Sequence, residues 1–247
     1  MTPCKTIWMI SGNKGGVAKS LLSLSLASSL QMRGESYSVL DGDGRTGDVY
    51  AAFARKVPAR WADFRSLRPE SHTCPQDEVY ESMVHQLLMT SQHLVINTPD
   101  GADALLMKWF DLTLKHTESY NYEFKMLYAM SDRPDGLDML PDLAQRFMSL
   151  YPIRNLHFGS VERFAAFNID HAPMFHVVMD LPALRADEVR LLFDGKTYPA
   201  EVLVERRRGA YRWPVLARSR IATWQERVDQ MLAPALDARD QSNIVLD

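Results

Sequence analysis

Residues 13–20, with the sequence NKGGVAKS, constrain the fold more than any other part of this chain. The apolar run KTIWMIS precedes them and predicts a buried strand, and the Leu- and Ser-rich run that follows predicts a helix ending near Gly34. Gly15 and Gly16 let the backbone approach a ligand, while Lys19 and Ser20 suit phosphate oxygens and Mg²⁺. The sequence therefore predicts a phosphate-binding loop between a strand and a helix.

This loop differs from the common phosphate-loop pattern G-x-x-x-x-G-K-[ST], because Asn13 and Ala18 stand at its two glycine positions. It carries an additional lysine, Lys14, and fits the pattern x-K-G-G-x-x-K-[ST] at every specified position. In this respect it resembles the deviant Walker-A ATPases of the ParA/MinD type. The resemblance implies bound ATP and Mg²⁺, with nucleotide contacts from Asn13, Lys14, Gly15, Gly16, Val17, Ala18, Lys19, Ser20 and Leu21.

The same resemblance implies a homodimer that sandwiches ATP. Lys19 would contact the nucleotide bound to its own subunit. Lys14 would contact the phosphates of the nucleotide bound to the partner subunit. Relatives usually have glycine where this chain has Ala18, so we expect its methyl group to alter the loop and slow turnover. The catalytic residues implied are Lys14, Lys19 and Asp43.

Strands and helices alternate along the whole sequence, which is typical of an α/β fold. We predict a single doubly wound, mostly parallel sheet flanked by helices, as in P-loop NTPases of the ParA/MinD/NifH-like kind. The segment ARWADF is predicted to be helical, as are MKWFDLTLKHTES and RIATWQERVDQMLAPAL. One domain over residues 1–236 and a flexible acidic tail over 237–247 are expected.

Acidic residues follow the second predicted strand, in the segment LDGDGRTGD. Two carboxylates at the end of a strand suit Mg²⁺ coordination next to a phosphate loop, although an acidic surface turn alone would also explain them. By resemblance, Asp41 belongs to the outer shell of the metal and Asp43 orients the attacking water. Ser20 supplies the hydroxyl ligand.

The segment LVINTPDG resembles the third motif of the family, in which an apolar strand ends in Asp-Thr-Pro. Asn97 replaces that aspartate. An amide can hold a metal-bound water but brings no negative charge, so weaker metal binding or hydrolysis is expected. Asp100 is a candidate to supply the missing charge.

Later segments resemble the part of the family fold that binds the base. Asn155, in IRNLHFG, is the candidate to read the adenine, and Pro182 and Leu184, in MDLPAL, are candidates to pack on it.

The formal net charge of −3 over 247 residues does not by itself indicate a nucleic-acid or membrane partner. No apolar run reaches the roughly 18 residues of a transmembrane helix, so we predict a cytoplasmic protein without integral membrane association.

Residues 204–228 contain seven arginines, although the chain as a whole is slightly acidic. These could bind DNA phosphates, or could equally form a solvated or partner-binding face. The candidates are Arg206, Arg207, Arg208, Arg212, Arg218 and Arg220.

These observations leave more than one function open. The first hypothesis is a slow, partner-stimulated ATPase switch in plasmid partition, plasmid positioning or conjugative transfer. It would act with a DNA-binding or transfer-machinery protein, as the resemblance to the plasmid-stability and conjugative-transfer branch (StbB/TraL-like) implies. The alternative is an ATP-dependent protein-interaction scaffold with negligible hydrolysis, which Ala18 and Asn97 favour. A metabolic P-loop enzyme of the dethiobiotin-synthetase kind is the third.

Overall fold

The computed structural model describes residues 5–12, 14–66, 75–101, 122–147, 149–207 and 210–238. Within these ranges, seven strands form one sheet in the order β3-β2-β4-β1-β5-β6-β7, and every neighbouring pair is parallel. The predicted parallel α/β fold is therefore confirmed. The strands are β1 (Lys5–Gly12), β2 (Tyr37–Asp41), β3 (Ala59–Trp61), β4 (His93–Asn97), β5 (Tyr122–Met130), β6 (Leu150–Asn155) and β7 (Met179–Leu181).

Helices cover both faces of this sheet. The described helices are α1 (Lys19–Met32), α2 (Asp48–Phe53), α3 (Pro75–Thr90), α4 (Leu140–Arg146), α5 (Ala165–Asp170), α6 (Ala186–Asp194), α7 (Pro199–Val204) and α8 (Val215–Asp237). A two-stranded antiparallel hairpin, β8 (Arg206–Arg207) and β9 (Ala210–Tyr211), lies between α7 and α8.

The central strand β1 shows why two hydrophobic layers form. Its side chains alternate between the faces of the sheet, so Trp8 and Ile10 belong to one buried cluster while Ile7 and Met9 belong to the other. The first cluster packs under α1, α2, α6, α7 and α8, and the second under α3, α4 and α5. Burial on both faces matches the nearly unbroken apolar run that predicted this strand.

Helix α1 is buried almost all round, although five of its 14 residues are serines. The hydroxyls of Ser23, Ser25, Ser28 and Ser29 each donate to the carbonyl four residues earlier, as Ser25 does to Leu21 at 2.8 Å and Ser28 to Leu24 at 2.8 Å. Small side chains with satisfied hydroxyls allow α1 to lie between the sheet and the helices α7 and α8.

One element was predicted wrongly. The segment ARWADF is not a helix, because Ala59, Arg60 and Trp61 pair with β2 as the short edge strand β3. Pairing with a neighbouring strand overrides the weak local preference of three residues. The predicted helix MKWFDLTLKHTES lies outside the described residues, as do residues 239–247 of the predicted acidic tail. Helix α8, which was predicted, runs through Asp237.

Candidate nucleotide-binding site

A cavity of about 580 Å³ opens at the carboxyl edge of the sheet, where α/β proteins commonly bind ligands. We call its first side the loop wall, formed after β1, β2 and β4 by Gly16, Ala18, Lys19, Ser20, Leu21, Asp43, Thr46, Asp48, Thr98 and Asp100. The opposite side, the helix wall, is formed after β6 and β7 by Asn155, His157, Leu181, Pro182, Leu184, Ala186, Val189, Arg190 and Phe193.

The loop after β1 turns through two left-handed residues. Gly16 has φ 76°, and a side chain there would meet nothing within 4 Å. Ala18 has φ 79° and ψ 26° immediately before α1. This conformation is unfavourable for alanine and explains why glycine suits the position. The methyl group of Ala18 therefore strains the backbone where the loop enters α1.

Lys19, the first residue of α1, is buried, with 6% of its surface exposed. Its ammonium group donates to the backbone carbonyl of Lys14 at 2.9 Å and forms an ion pair with Asp100 Oδ1 at 2.6 Å. Lys14 itself is partly buried, and its side chain is not among those that line the cavity.

Of the remaining predicted loop residues, Ser20 and Leu21 line the cavity. Val17 is fully buried beneath it, and a Cβ on Gly15 would lie 2.5 Å from the Asp100 carboxylate. Asn13 lies outside the described residues. The structure therefore brings Gly16, Ala18, Lys19, Ser20 and Leu21 to one wall.

Asp41 and Asn97 lie under the loop wall rather than on it, and both are buried. Asp41 accepts hydrogen bonds from Asn97 Nδ2 at 2.9 Å and from the backbone N–H groups of Asp43 and Tyr50. Asn97 Oδ1 accepts from the Ser23 hydroxyl of α1 at 3.3 Å. Burial raises the pKa of Asp41, against the lowering effect of these hydrogen bonds. The pair thus ties β2, β4 and α1 together.

Asp43 does line the cavity, but its carboxylate has an internal partner. Oδ1 accepts from the Arg65 guanidinium at 3.2 Å and from the Arg45 N–H at 3.1 Å, and the Asp43 carbonyl accepts from Trp61 Nε1 at 2.8 Å. Sequence reasoning missed Arg65 and Trp61, because both fall in or beside the segment wrongly predicted as a helix.

Asn155 reaches the cavity with both ends of its amide already engaged. Its Oδ1 accepts from the His157 N–H at 3.0 Å, and its Nδ2 donates to the Val17 carbonyl at 3.3 Å. These bonds hold the end of β6 against the loop after β1. Direct recognition of a base by this side chain would require one of them to break.

Pro182 and Leu184 lie on the helix wall, where they were predicted. Trp224 of α8 donates to the Pro182 carbonyl at 2.7 Å and fixes this loop. Sequence reasoning missed Val189, Arg190 and Phe193 of α6. The spacing of the apolar residues in ADEVRLLFD was the available signal, because it is that of an amphipathic helix.

Among the described residues, no group of three or more His, Cys, Asp or Glu side chains is arranged to hold a metal ion. Ser20 and Asp43 do share the loop wall. Mg²⁺ is commonly held by one or two protein oxygens together with substrate phosphates, so these residues fit that ion.

The predicted DNA-contact arginines divide into two groups. Arg212 donates to both carboxylate oxygens of Glu205 at 3.1 Å, and Arg218 donates to the Leu203 carbonyl at 3.1 Å. Arg220 pairs with the buried Glu188. Of the other three, Arg206 and Arg207 form strand β8, and Arg208 lies outside the described residues.

No helix within the described ranges is both long enough and apolar enough to cross a membrane.

No protein-family model matches the chain. Its sequence is 23% identical over 167 residues to the protein MobD of Acidithiobacillus ferrooxidans. The matched segment covers 66% of this chain and 69% of MobD. This identity is low.

Two solved structures resemble the chain in fold, each at 12% sequence identity. One is a plasmid partition protein from Borrelia burgdorferi B31 bound to AMPPNP, with a TM-score of 0.57 over 94% of this chain and 100% of that one. The other is a nucleotide-binding protein from Archaeoglobus fulgidus in complex with ADP, with a TM-score of 0.52 over 77% and 86%. The fold expected from the ParA/MinD resemblance is confirmed: this chain has the P-loop NTPase fold that the plasmid partition protein also has.

Proposed function

We propose that the chain is a slow Mg²⁺-dependent ATPase that binds ATP in the cavity between the loop wall and the helix wall. The observation that carries the proposal is the position of Lys19, a buried lysine at the start of α1 that lies beside the open turn at Gly16. Backbone N–H groups at a helix start, together with one lysine, form a site for phosphate. The nucleotide-bound neighbours of the same fold are consistent with this proposal.

In this proposal the loop wall receives the phosphates. Lys19 neutralises their charge, and Ser20 and Asp43 hold Mg²⁺ together with phosphate oxygens. The ion, when bound, would neutralise charge that develops on those oxygens. Asp43 also orients the attacking water, so that hydrolysis gives ADP and inorganic phosphate. Asp41 supports that loop, because it accepts the N–H of Asp43 at 3.2 Å.

The helix wall would receive the base and ribose. Leu181, Pro182, Leu184, Val189 and Phe193 present apolar surface on which a flat ring can pack.

We further propose that two copies sandwich ATP, with Lys14 of each copy serving the nucleotide of the other. The pattern KGGVAK and its family resemblance support this assignment. The partly exposed position of Lys14, off the cavity lining, is compatible with contact to a second copy. We expect Lys14→Ala to retain ATP binding and to lose ATP-induced dimerisation in light scattering. A dimer that persists unchanged in this variant would contradict the assignment.

The proposed biological role is a cytoplasmic switch in plasmid partition, positioning or conjugative transfer, acting with a DNA-binding or transfer-machinery partner. It rests on the sequence resemblance to the plasmid-stability branch and on the fold shared with a plasmid partition protein. If the chain itself binds DNA, Arg206, Arg207 and Arg208 are the better candidates, because Arg212, Arg218 and Arg220 have partners inside the chain.

A scaffold that binds ATP with negligible hydrolysis is the second candidate. Two observations favour it: Asp43 is paired with Arg65, and Asn97 lies under the wall without a negative charge. Both would leave the water-orienting step weak while nucleotide binding stays intact.

Steady-state ATP hydrolysis, measured with and without DNA, separates the two candidates. The switch predicts DNA- or partner-stimulated turnover that is lost in Lys19→Ala. The scaffold predicts ATP-induced dimerisation without turnover under any condition. If the wild-type protein neither binds nor hydrolyses ATP, the nucleotide function itself is overturned. Salt-sensitive DNA retention should fall in the Arg206→Ala, Arg207→Ala, Arg208→Ala triple variant, and unchanged retention would remove the hairpin from consideration.

A further inference from the structure

Asp100 occupies an unusual position for a predicted metal ligand, because it is already bound to the phosphate-loop lysine. Its Oδ1 lies 2.6 Å from Lys19 Nζ, which also donates to the Lys14 carbonyl at 2.9 Å. We propose that Asp100 is an internal counter-ion that competes with nucleotide phosphates for Lys19, and so sets the affinity of the site. This inference rests on the proposed nucleotide binding.

The loop geometry favours this competition. Thr98 is pinned to the end of β1 by its N–H and its hydroxyl, both of which donate to the Ile10 carbonyl, at 3.1 and 2.9 Å. Gly101, with φ 68°, turns the chain directly after Asp100. The base of the loop is therefore fixed, while the Asp100 side chain projects over the cavity and remains 49% exposed.

The missing side chain of Gly15 creates the room for this contact. A Cβ on Gly15 would lie 2.5 Å from Asp100 Oδ2, which is closer than such atoms can approach. The carboxylate thus lies directly against the backbone turn that is expected to bind phosphate. An anion in that place has the charge and hydrogen-bonding capacity of a phosphate oxygen.

The two charges differ greatly in burial, and this decides which partner moves. The Lys19 side chain is 7% exposed and the Asp100 side chain 49%. A buried ammonium without a counter-ion is unfavourable, whereas a half-exposed carboxylate is readily hydrated. Incoming phosphate would repel Asp100 and take its place on Lys19. The carboxylate would then leave towards water, and breaking the ion pair would lower the apparent affinity for nucleotide.

The test compares nucleotide binding by the wild-type chain with Asp100→Asn and Asp100→Ala. Isothermal titration with ATP, ADP and pyrophosphate in EDTA removes any contribution of Asp100 to metal binding. We expect both variants to bind each ligand about tenfold more tightly, the effect of losing one partly exposed charge-assisted contact. Equal or weaker binding by folded variants, verified by circular dichroism, would overturn the proposal.

Asp170→Asn is the matched control, because Asp170 is an exposed aspartate at the end of α5 and does not line the cavity. It removes the same charge and should leave the affinities unchanged. Tighter binding in this control as well would assign the effect to net charge and overturn the proposal. If neither the wild type nor any variant binds a nucleotide or pyrophosphate, either in EDTA or with Mg²⁺ added, the proposed function fails. If the wild type binds and Asp100→Asn binds no better, only the competition fails.

Discussion

The two walls of the cavity differ in how their side chains are held. On the loop wall, three charged groups already have ionic partners within the chain: Lys19 pairs with Asp100, and Asp43 pairs with Arg65. On the helix wall, apolar side chains are positioned by backbone anchoring, such as the bond from Trp224 to the Pro182 carbonyl. A ligand must therefore exchange ion pairs on one wall and only displace water from the other. The walls are expected to make separable contributions to binding.

The largest expected effect lies on the loop wall. Lys19→Ala should weaken the binding of both ATP and tripolyphosphate by at least about 100-fold, because a charge-assisted contact from a buried ammonium is lost. Titration calorimetry measures both affinities. The exposed Lys196 lies outside the cavity lining, so Lys196→Ala is the control and should leave both unchanged. A Lys19→Ala variant that kept tripolyphosphate binding would show that the loop wall does not bind phosphate.

The next prediction concerns the support beneath that wall. Asn97→Asp would place a second buried carboxylate against Asp41, whose Oδ1 lies 2.9 Å from the present amide. Repulsion between the two should lower the free energy of unfolding by about 2 kcal/mol at neutral pH. Urea denaturation measures this change.

The pH dependence of the same variant has a definite sign. Burial raises the pKa of Asp41, so the fold penalises its ionised form, and a neighbouring carboxylate would increase that penalty. The loss in free energy of unfolding should be greatest above the pKa values of the two carboxyl groups, and it should shrink as the pH falls through those values. Asn168→Asp is the control, because Asn168 faces Arg154 at 2.8 Å and the new charge would be compensated. Equal losses in both variants would contradict the explanation.

The two walls also differ in how far the sequence predicted them. Gly16, Lys19 and Ser20 lie within five residues of one another in the sequence. Their spacing alone therefore predicts that they lie close together in the structure. Asp43 and Asp100 could be placed beside them because parallel strands end at a common edge. Local pattern and sheet topology thus predicted these five residues of the loop wall, but not Thr46, Asp48 or Thr98, which also line it.

The partners of these residues could not be predicted in the same way. Arg65 reaches Asp43 only because β3 pairs with β2, and a strand of three residues has too little pattern to be recognised. Val189 and Phe193 reach the helix wall through the packing of α6, which follows a loop fixed by Trp224. These contacts depend on chain segments that are distant in sequence, and no single motif encodes them.

Phe193→Ala tests the separation of the walls directly. Loss of apolar contact from the helix wall should lower the affinity for ATP by about tenfold. The affinity for tripolyphosphate should not change, because that ligand has no base. Phe175→Ala is the matched control, because Phe175 packs against the hydrophobic cluster on the opposite face of the sheet. It should change neither affinity. Equal weakening of both ligands by Phe193→Ala would show that the walls are coupled.

The smallest expected effect is a gain in stability on the loop wall. Ala18 has φ 79°, so Ala18→Gly should raise the free energy of unfolding by about 1 kcal/mol by removing left-handed strain. Arg55, with φ 78° at the end of α2, is the matched control outside the cavity lining, and Arg55→Gly should give a similar gain. Urea denaturation measures both. A gain in Arg55→Gly without one in Ala18→Gly would mean that contacts of the alanine methyl group offset the strain. The loop wall would then owe part of its shape to packing by that methyl group as well as to its glycines.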